Sequence, residues 1–150
     1  MTPILKIKTL ANAAEDFPLP AYQSDGAAGM DLHACLSGPL TLEPRTPVII
    51  PTGIAIALPS AEYVALVFAR SGLAARYGIA LSNGVGVVDS DYRGEIKVGL
   101  INLTDEPYTV RPGDRIAQLV VAPVCRARIL RVTELDGTER GSGGFGSTGL

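Results

Sequence analysis

Along most of the chain, hydrophobic and polar residues alternate in short runs with a period near two. That is the spacing of strands with one face on a core and the other toward water. "ILKIK" (4–8) alternates. "GIAIAL" (53–58) sends Ile54, Ile56 and Leu58 to one face and Ala55 and Ala57 to the other. "EYVALVFA" (62–69) is apolar on both faces, as a central strand is. "EIKVGLIN" (95–102), "RIAQLVVAP" (115–123) and "RARILRV" (126–132) complete the predicted strands. Helical periodicity is nearly absent. The one candidate is a turn or two over "SGLAARY" (71–77), with Ser71 as its N-cap. Prolines 44, 47, 51, 59, 107, 112 and 123 read as turns and strand starts, and "RPGD" (111–114) has type II turn chemistry. Short strands at this spacing predict a sandwich or barrel. At about residue 137 the composition shifts to glycine, which predicts one β domain over 1–136 and a mobile arm over 137–150.

Composition narrows the function. A chain of 150 residues with 47% hydrophobic residues forms one packed domain without staples. Its net charge is −2, from 13 cationic and 15 anionic side chains, so no basic footprint for nucleic acid or an anionic membrane is expected. Cys35 and Cys125 have no metal or redox spacing and read as a buried, reduced pair. No signal peptide is recognised, and the longest uncharged run, "TPVIIPTGIAIALPSA", is broken by three prolines. A soluble, cytoplasmic protein is expected.

Four stretches carry candidate chemistry. "LSNGVGVVDSDYRGEI" (81–96) has two glycines bracketing an uncharged run, then two carboxylates beside a tyrosine. It admits an ordinary hairpin turn or a close approach of ligand to backbone. Asp89 follows the apolar pair Val87 and Val88, which predicts a hydrophobic wall beside it. "ARSGLA" (69–74) places a cation, a hydroxyl and a glycine where a helix starts. That is a recipe for binding an anion, and also an innocent helix start. In "AGMDLHA" (28–34), Asp31 either satisfies turn amides or serves a ligand, and His33 reads as a strand-surface residue. The tail "RGSGGFGSTGL" orders one cation, one aromatic and two hydroxyls among five glycines, which a plain spacer does not need.

Together, "AGMDLHA", "ARSGLA", "SNGVGVVDSDYRGEI", "GDRIAQLV" and "RGSGGFGSTG" resemble the five ordered motifs of the trimeric dUTP pyrophosphatases, the dUTPases, over residues 28–149. The resemblance implies a jelly-roll-like β fold, a homotrimer with sites shared between subunits, and Mg²⁺-dependent hydrolysis of dUTP to dUMP and pyrophosphate. It makes Asp89 the base that activates water and Asp31 the holder of a metal-bound water. Arg70, Ser71, Gly72 and Gln118 become phosphate contacts. Asn83 and the backbone near Val87 and Val88 become uracil readers, and Tyr92 the floor of the deoxyribose. Lys97 joins the substrate-binding set at a variable position. Arg140, Phe145, Gly146, Ser147 and Thr148 belong to the closing arm. The alternatives are a dCTP deaminase of the same fold and a non-catalytic nucleotide-binding trimer. A zinc deaminase is excluded, because no His–Cys–Cys set exists.

Overall fold

The structure is a computed structural model and describes residues 2–144. Ten strands and one helix follow the chain: β1 (Lys6–Thr9), β2 (Met30–His33), β3 (Leu40–Leu42), β4 (Pro47–Ala57), β5 (Tyr63–Ala69), α1 (Ser71–Tyr77), β6 (Ile79–Leu81), β7 (Gly86–Val88), β8 (Glu95–Asn102), β9 (Tyr108–Val110) and β10 (Arg115–Pro123). They build two four-stranded sheets, ordered β1-β4-β8-β6 and β2-β10-β5-β7, and a small β3-β9 ribbon. Every strand pairing is antiparallel. Among the described residues no helix is long and apolar enough to cross a membrane.

One core joins the sheets, giving a jelly-roll-like sandwich. Ile50, Ile54, Ile56, Val98 and Leu100 of the first sheet meet Leu32, Ala65, Val67, Ala117 and Leu119 of the second. Leu119 is wholly buried, and truncation to alanine there would cost about 2–5 kcal/mol. Ile54, Ile56 and Leu58 are buried as predicted, but Ala55 between them is buried too, so this stretch of β4 is covered on both faces. The predicted centrality of β5 holds too, since it lies between β10 and β7.

Several expectations need correction. β4 begins at Pro47, six residues ahead of the predicted run, and contains Pro51 instead of starting after it. The register shifts between Pro51 and Ala55, so the irregular part of the ladder takes in the residue that has no N–H. Ser71 is the first helical residue, not the cap; Arg70 is the N-cap, with no side-chain capping bond. Arg126–Val132 forms no strand. Its alternation is real, but the chain offers it no partner, and Ile129 and Leu130 are 94% and 78% exposed. Both cysteines are free thiols; Cys35 is buried, as expected, but Cys125 is exposed.

The end of α1 is pinned. Gly78 takes the left-handed conformation (φ 62°) and its N–H donates to Ala74 O at 3.1 Å. Leu103 N–H donates to Gly78 O at 2.9 Å, and the Tyr77 and Tyr108 rings lie 5.1 Å apart. The "RPGD" turn forms as predicted, with Gly113 at φ 79° and Asp114 N–H donating to Arg111 O at 3.1 Å.

Candidate functional site

The glycine hairpin makes the first half of the site. Gly84 adopts φ 73° so that its N–H reaches Leu81 O (3.1 Å), and Val85 N–H reaches Asn83 O (2.9 Å). β7 then pairs with β5, where a Cβ on Gly86 would stand 3.0 Å from Val67 Cβ. Beyond β7 the chain turns, and Tyr92 N–H donates to Asp89 O at 3.2 Å. The Tyr92 hydroxyl donates to Glu95 O at 3.0 Å, and the ring lies against Gly94. Arg93 Nη1 donates to Ser90 O and Tyr92 O, each at 2.8 Å, and braces the turn. These bonds enclose a cavity of about 250 Å³ that Asn83, Val87, Val88, Asp89, Tyr92 and Lys97 share. Val88 is half-buried, but Val87 is 65% exposed and Asp89 is exposed. In one chain the predicted hydrophobic wall is therefore incomplete.

The second half centres on Asp31. It is buried in β2, and each carboxylate oxygen meets a guanidinium: Oδ1 to Arg70 Nε at 2.9 Å, Oδ2 to Arg115 Nη1 at 3.2 Å. The turn-amide reading is thus corrected; Asp31 is held by side chains. Burial of a carboxylate is tolerable only with such partners. Arg70 Nη1 also donates to Arg115 O (3.3 Å). Gln118 stands opposite Asp31 on β10, and its Nε2 donates to Ala69 O at 3.0 Å. A Cβ on Gly29 would collide with Gln118 Oε1 at 2.7 Å, so that glycine gives the carboxamide its place. Ser71 and Gly72 open α1 beside Arg70, both facing away from the core.

The two halves do not meet within one chain. Asp31 and Val88 sit on the outermost strands of the β2-β10-β5-β7 sheet, three strand spacings or about 14 Å apart. Asp89 and Tyr92 line the hairpin cavity, while Arg70 and Arg115 line another, beside Tyr108 and Asp114. Arg140 sits in a tight turn, where its Nε donates to Gly143 O at 2.7 Å. Phe145, Gly146, Ser147 and Thr148 lie outside the described residues.

His33, on the same strand as Asp31, is half-buried instead of lying on the surface. Its Nδ1 is buried with no hydrogen-bond partner, and its ring meets Phe17 edge-on at 6.4 Å. Burial lowers its pKa; Asp31 opposes this, and Arg115 and Arg70 reinforce it. Three participants escaped the sequence reading. Arg115 binds Asp31 from 84 residues away, Gly94 seats Tyr92, and Glu95 receives its hydroxyl. The tight "DYRG" spacing signals the second; no local pattern signals the first.

Among the described residues no group of three or more His, Cys, Asp or Glu side chains is placed to hold a metal ion. The donor set fits an ion carried mainly by a polyphosphate and water, with Asp31 as the nearby carboxylate, and does not fit a protein cage.

The dUTPase family profile matches residues 15–149. The deoxyuridine 5'-triphosphate nucleotidohydrolase of Desulfitobacterium hafniense is 59% identical over 132 residues, covering 88% of this chain and 87% of that protein. A mutant of the Staphylococcus bacteriophage 80alpha dUTPase, solved with dUpNHpp, superposes with a TM-score of 0.86 at 26% identity, covering 99% of this chain and 100% of that one. A phage phi11 dUTPase mutant, solved for the coordination of a structural Mg(II) ion, shares the fold with a TM-score of 0.75 at 23% identity, covering 87% and 97%.

Proposed function

The chain belongs to the dUTPase family and hydrolyses dUTP, and we infer that each site is assembled from more than one copy of it. The observation that carries this is the separation of the hairpin cavity from the Asp31–Arg70–Gln118 cluster. Each holds half of what the reaction needs. In a homotrimer the hairpin of one copy faces the phosphate cluster of the next. Two further observations favour such an assembly. The outer face of the β2-β10-β5-β7 sheet leaves Val64, Leu66, Phe68 and Val120 only half-buried. The segment after β10 holds Ile129, Leu130, Val132 and Leu135 in solvent.

Asp89 accepts a proton from the water that attacks the α-phosphorus. The bond to the bridging oxygen of the β-phosphate breaks, and pyrophosphate leaves with the electron pair. Such general-base catalysis contributes about 10²–10⁴-fold. Arg70, Ser71, Gly72 and Gln118 hold the phosphates. A bound Mg²⁺ would supply the charge neutralisation that the triphosphate needs, and Asp31 would hold it through water. The Arg70 and Arg115 guanidiniums, at 2.9 and 3.2 Å, hold that carboxylate in place. No covalent intermediate is required, because positioning and charge stabilisation carry phosphoryl transfer.

Asn83 and the backbone of Val87 and Val88 read uracil. Uracil donates at N3 and accepts at O4, and cytosine reverses both. The hairpin's backbone groups cannot reverse, and each mispaired buried group costs about 1–3 kcal/mol. Tyr92 lies flat under the deoxyribose and gives a 2′-hydroxyl neither room nor partner. Lys97, on the cavity wall, approaches the substrate as a mobile cation. The arm closes last: Phe145 stacks on the base, and Arg140, Gly146, Ser147 and Thr148 take the terminal phosphate. The free thiols Cys35 and Cys125 suit a reducing, cytoplasmic setting.

The shared site is tested by mixing two inactive variants, Asp31→Asn and Asp89→Asn. They are unfolded together in equal amounts, refolded, and assayed for pyrophosphate release from dUTP with Mg²⁺. If the two carboxylates of a site come from different chains, random trimers hold both intact at about a quarter of sites, and activity returns. If one chain supplied both, no mixture would recover any.

A further inference from the structure

The strap from Leu10 to Ala14 has no part in the roles assigned above, yet it is bonded to the underside of the hairpin cavity. Leu10 N–H donates to Gly53 O at 2.8 Å, and Ala13 N–H folds back on Leu10 O at 3.0 Å. Asn12 is fastened at both ends. Its Nδ2 donates to Glu95 Oε1 at 2.9 Å, and its carbonyl accepts from Cys35 Sγ at 3.2 Å. The same Glu95 oxygen accepts from Gly53 N–H at 2.9 Å. Gly53 sits in the irregular part of β4 at φ 68°, so closely packed that a Cβ would stand 2.7 Å from Ala13 Cβ and 2.9 Å from Cys35 Sγ.

Glu95 is therefore a junction. Its side chain, 15% exposed, binds the strap and β4, with Lys97 Nζ 3.9 Å from the other oxygen. Its main-chain carbonyl accepts the Tyr92 hydroxyl. A carboxylate this enclosed requires donors, and bonds to a charged acceptor are stronger than neutral ones. The donors come from the strap and from β4, so they fix where β8 starts. The start of β8 in turn fixes the carbonyl on which Tyr92 rests.

We propose that Asn12 and Glu95 are positioning residues that set the height of the Tyr92 ring, and with it the discrimination between deoxyribonucleotide and ribonucleotide. This rests on the reading of Tyr92 as the sugar platform. Neither side chain touches substrate; both act through the Glu95 carbonyl. The acceptor atom matters more than the charge. Glutamine at position 95 keeps an oxygen for both donors, and alanine keeps none.

The test compares kcat and KM for dUTP and UTP, with Mg²⁺, in the wild type and in Asn12→Ala, Glu95→Ala, Glu95→Gln and Tyr92→Phe. Loss of a hydrogen bond in the latch is expected to raise KM for dUTP about three- to tenfold in both alanine variants. Their kcat should stay within about twofold, and kcat/KM for UTP should be unchanged, so that the dUTP:UTP preference falls. Glu95→Gln should recover most of the preference. Asn12 is exposed, so its variant reports even if Glu95→Ala folds poorly. Unchanged KM in Asn12→Ala and Glu95→Ala beside a raised KM in Tyr92→Phe would overturn the latch alone. Unchanged KM in all three would overturn the latch, and an unchanged dUTP:UTP preference in Tyr92→Ala, which removes the ring itself, would overturn the sugar-platform reading with it. A lowered Tm with kinetics unaltered would reduce the latch to a structural tie and overturn the proposal.

Discussion

The Tyr92 ring lies across Gly94, so close that a Cβ on the glycine would fall 2.6 Å from Tyr92 Cζ. The second residue of the pair is glycine because the first needs the room. Gly94→Ala is expected to tip the ring off its seat. Aromatic packing worth about 0.5–1.5 kcal/mol is then lost to the sugar, and KM for dUTP should rise about 2- to 12-fold. Steady-state kinetics with dUTP and UTP check this; unchanged selectivity in a folded variant would contradict it.

Asp89 projects from the turn into the cavity without a hydrogen bond to a neighbouring side chain among the described residues. If Asp89 is the base, as proposed, Asp89→Asn removes it and leaves the phosphate contacts. A fall of about 10²–10⁴-fold in kcat is expected, with nucleotide affinity within about tenfold of the wild type. Single-turnover hydrolysis and calorimetric binding of a non-hydrolysable dUTP analogue separate the two. Retained turnover would move the base elsewhere, Asp91 being the next carboxylate on the turn.

Arg115 tests the clamp on Asp31. Its guanidinium is 45% exposed at the side-chain level, but its partner is buried. Arg115→Ala leaves Oδ2 without its donor, at about 1–3 kcal/mol. For a domain this size that lowers Tm by roughly 2–4 °C per kcal/mol. Thermal denaturation measures it, and a Tm equal to that of the wild type would show that water replaces the guanidinium at no cost.

His33 makes stability depend on pH in a definite direction. Burial lowers its folded pKa below the ordinary 6.5. Between those two values the unfolded chain binds more protons than the folded one. Stability is thus fully present above about pH 6.5 and is lost as pH falls toward the lowered value. His33→Gln cannot take up the proton. Its Tm should fall less than the wild type's between about pH 7.5 and pH 5.5, as scanning calorimetry at both pH values would reveal. Equal losses would place the acid sensitivity on the carboxylates.

Truncation after Glu139 removes Arg140 and all that follows. If the arm grips the terminal phosphate, kcat/KM for dUTP should drop by at least about a hundredfold while dUMP affinity stays unchanged. A truncated enzyme with full kcat/KM would make the arm dispensable.

What the sequence discloses depends on where a residue's partner lies. β8 and β10 were legible to the residue, because eight and nine positions carry a clear alternation. β3, β6 and β9 have three residues each, too few to show a period. Pro51 looked like a boundary because the irregular pairing beside it is invisible along the chain. Arg126–Val132 alternates like a strand but forms none, because alternation reports which positions are apolar and not whether a neighbouring strand is there to pair with. The motif residues came together in two groups, but Arg115 was out of sight. Nothing near it in the sequence points to a carboxylate across the sheet.

The uncovered segment at Ile129 and Leu130 has a consequence for the protein's earliest moments. A newly released chain carries greasy side chains and unpaired backbone into a crowded solution, where any sticky neighbour competes for them. If like chains cover these side chains, as proposed, meeting them is a concentration-dependent event, whereas capture by chaperones or aggregates proceeds from the first instant. Slow synthesis is therefore the dangerous regime for this protein, and its yield should improve when chains are made close together, as on a single polysome.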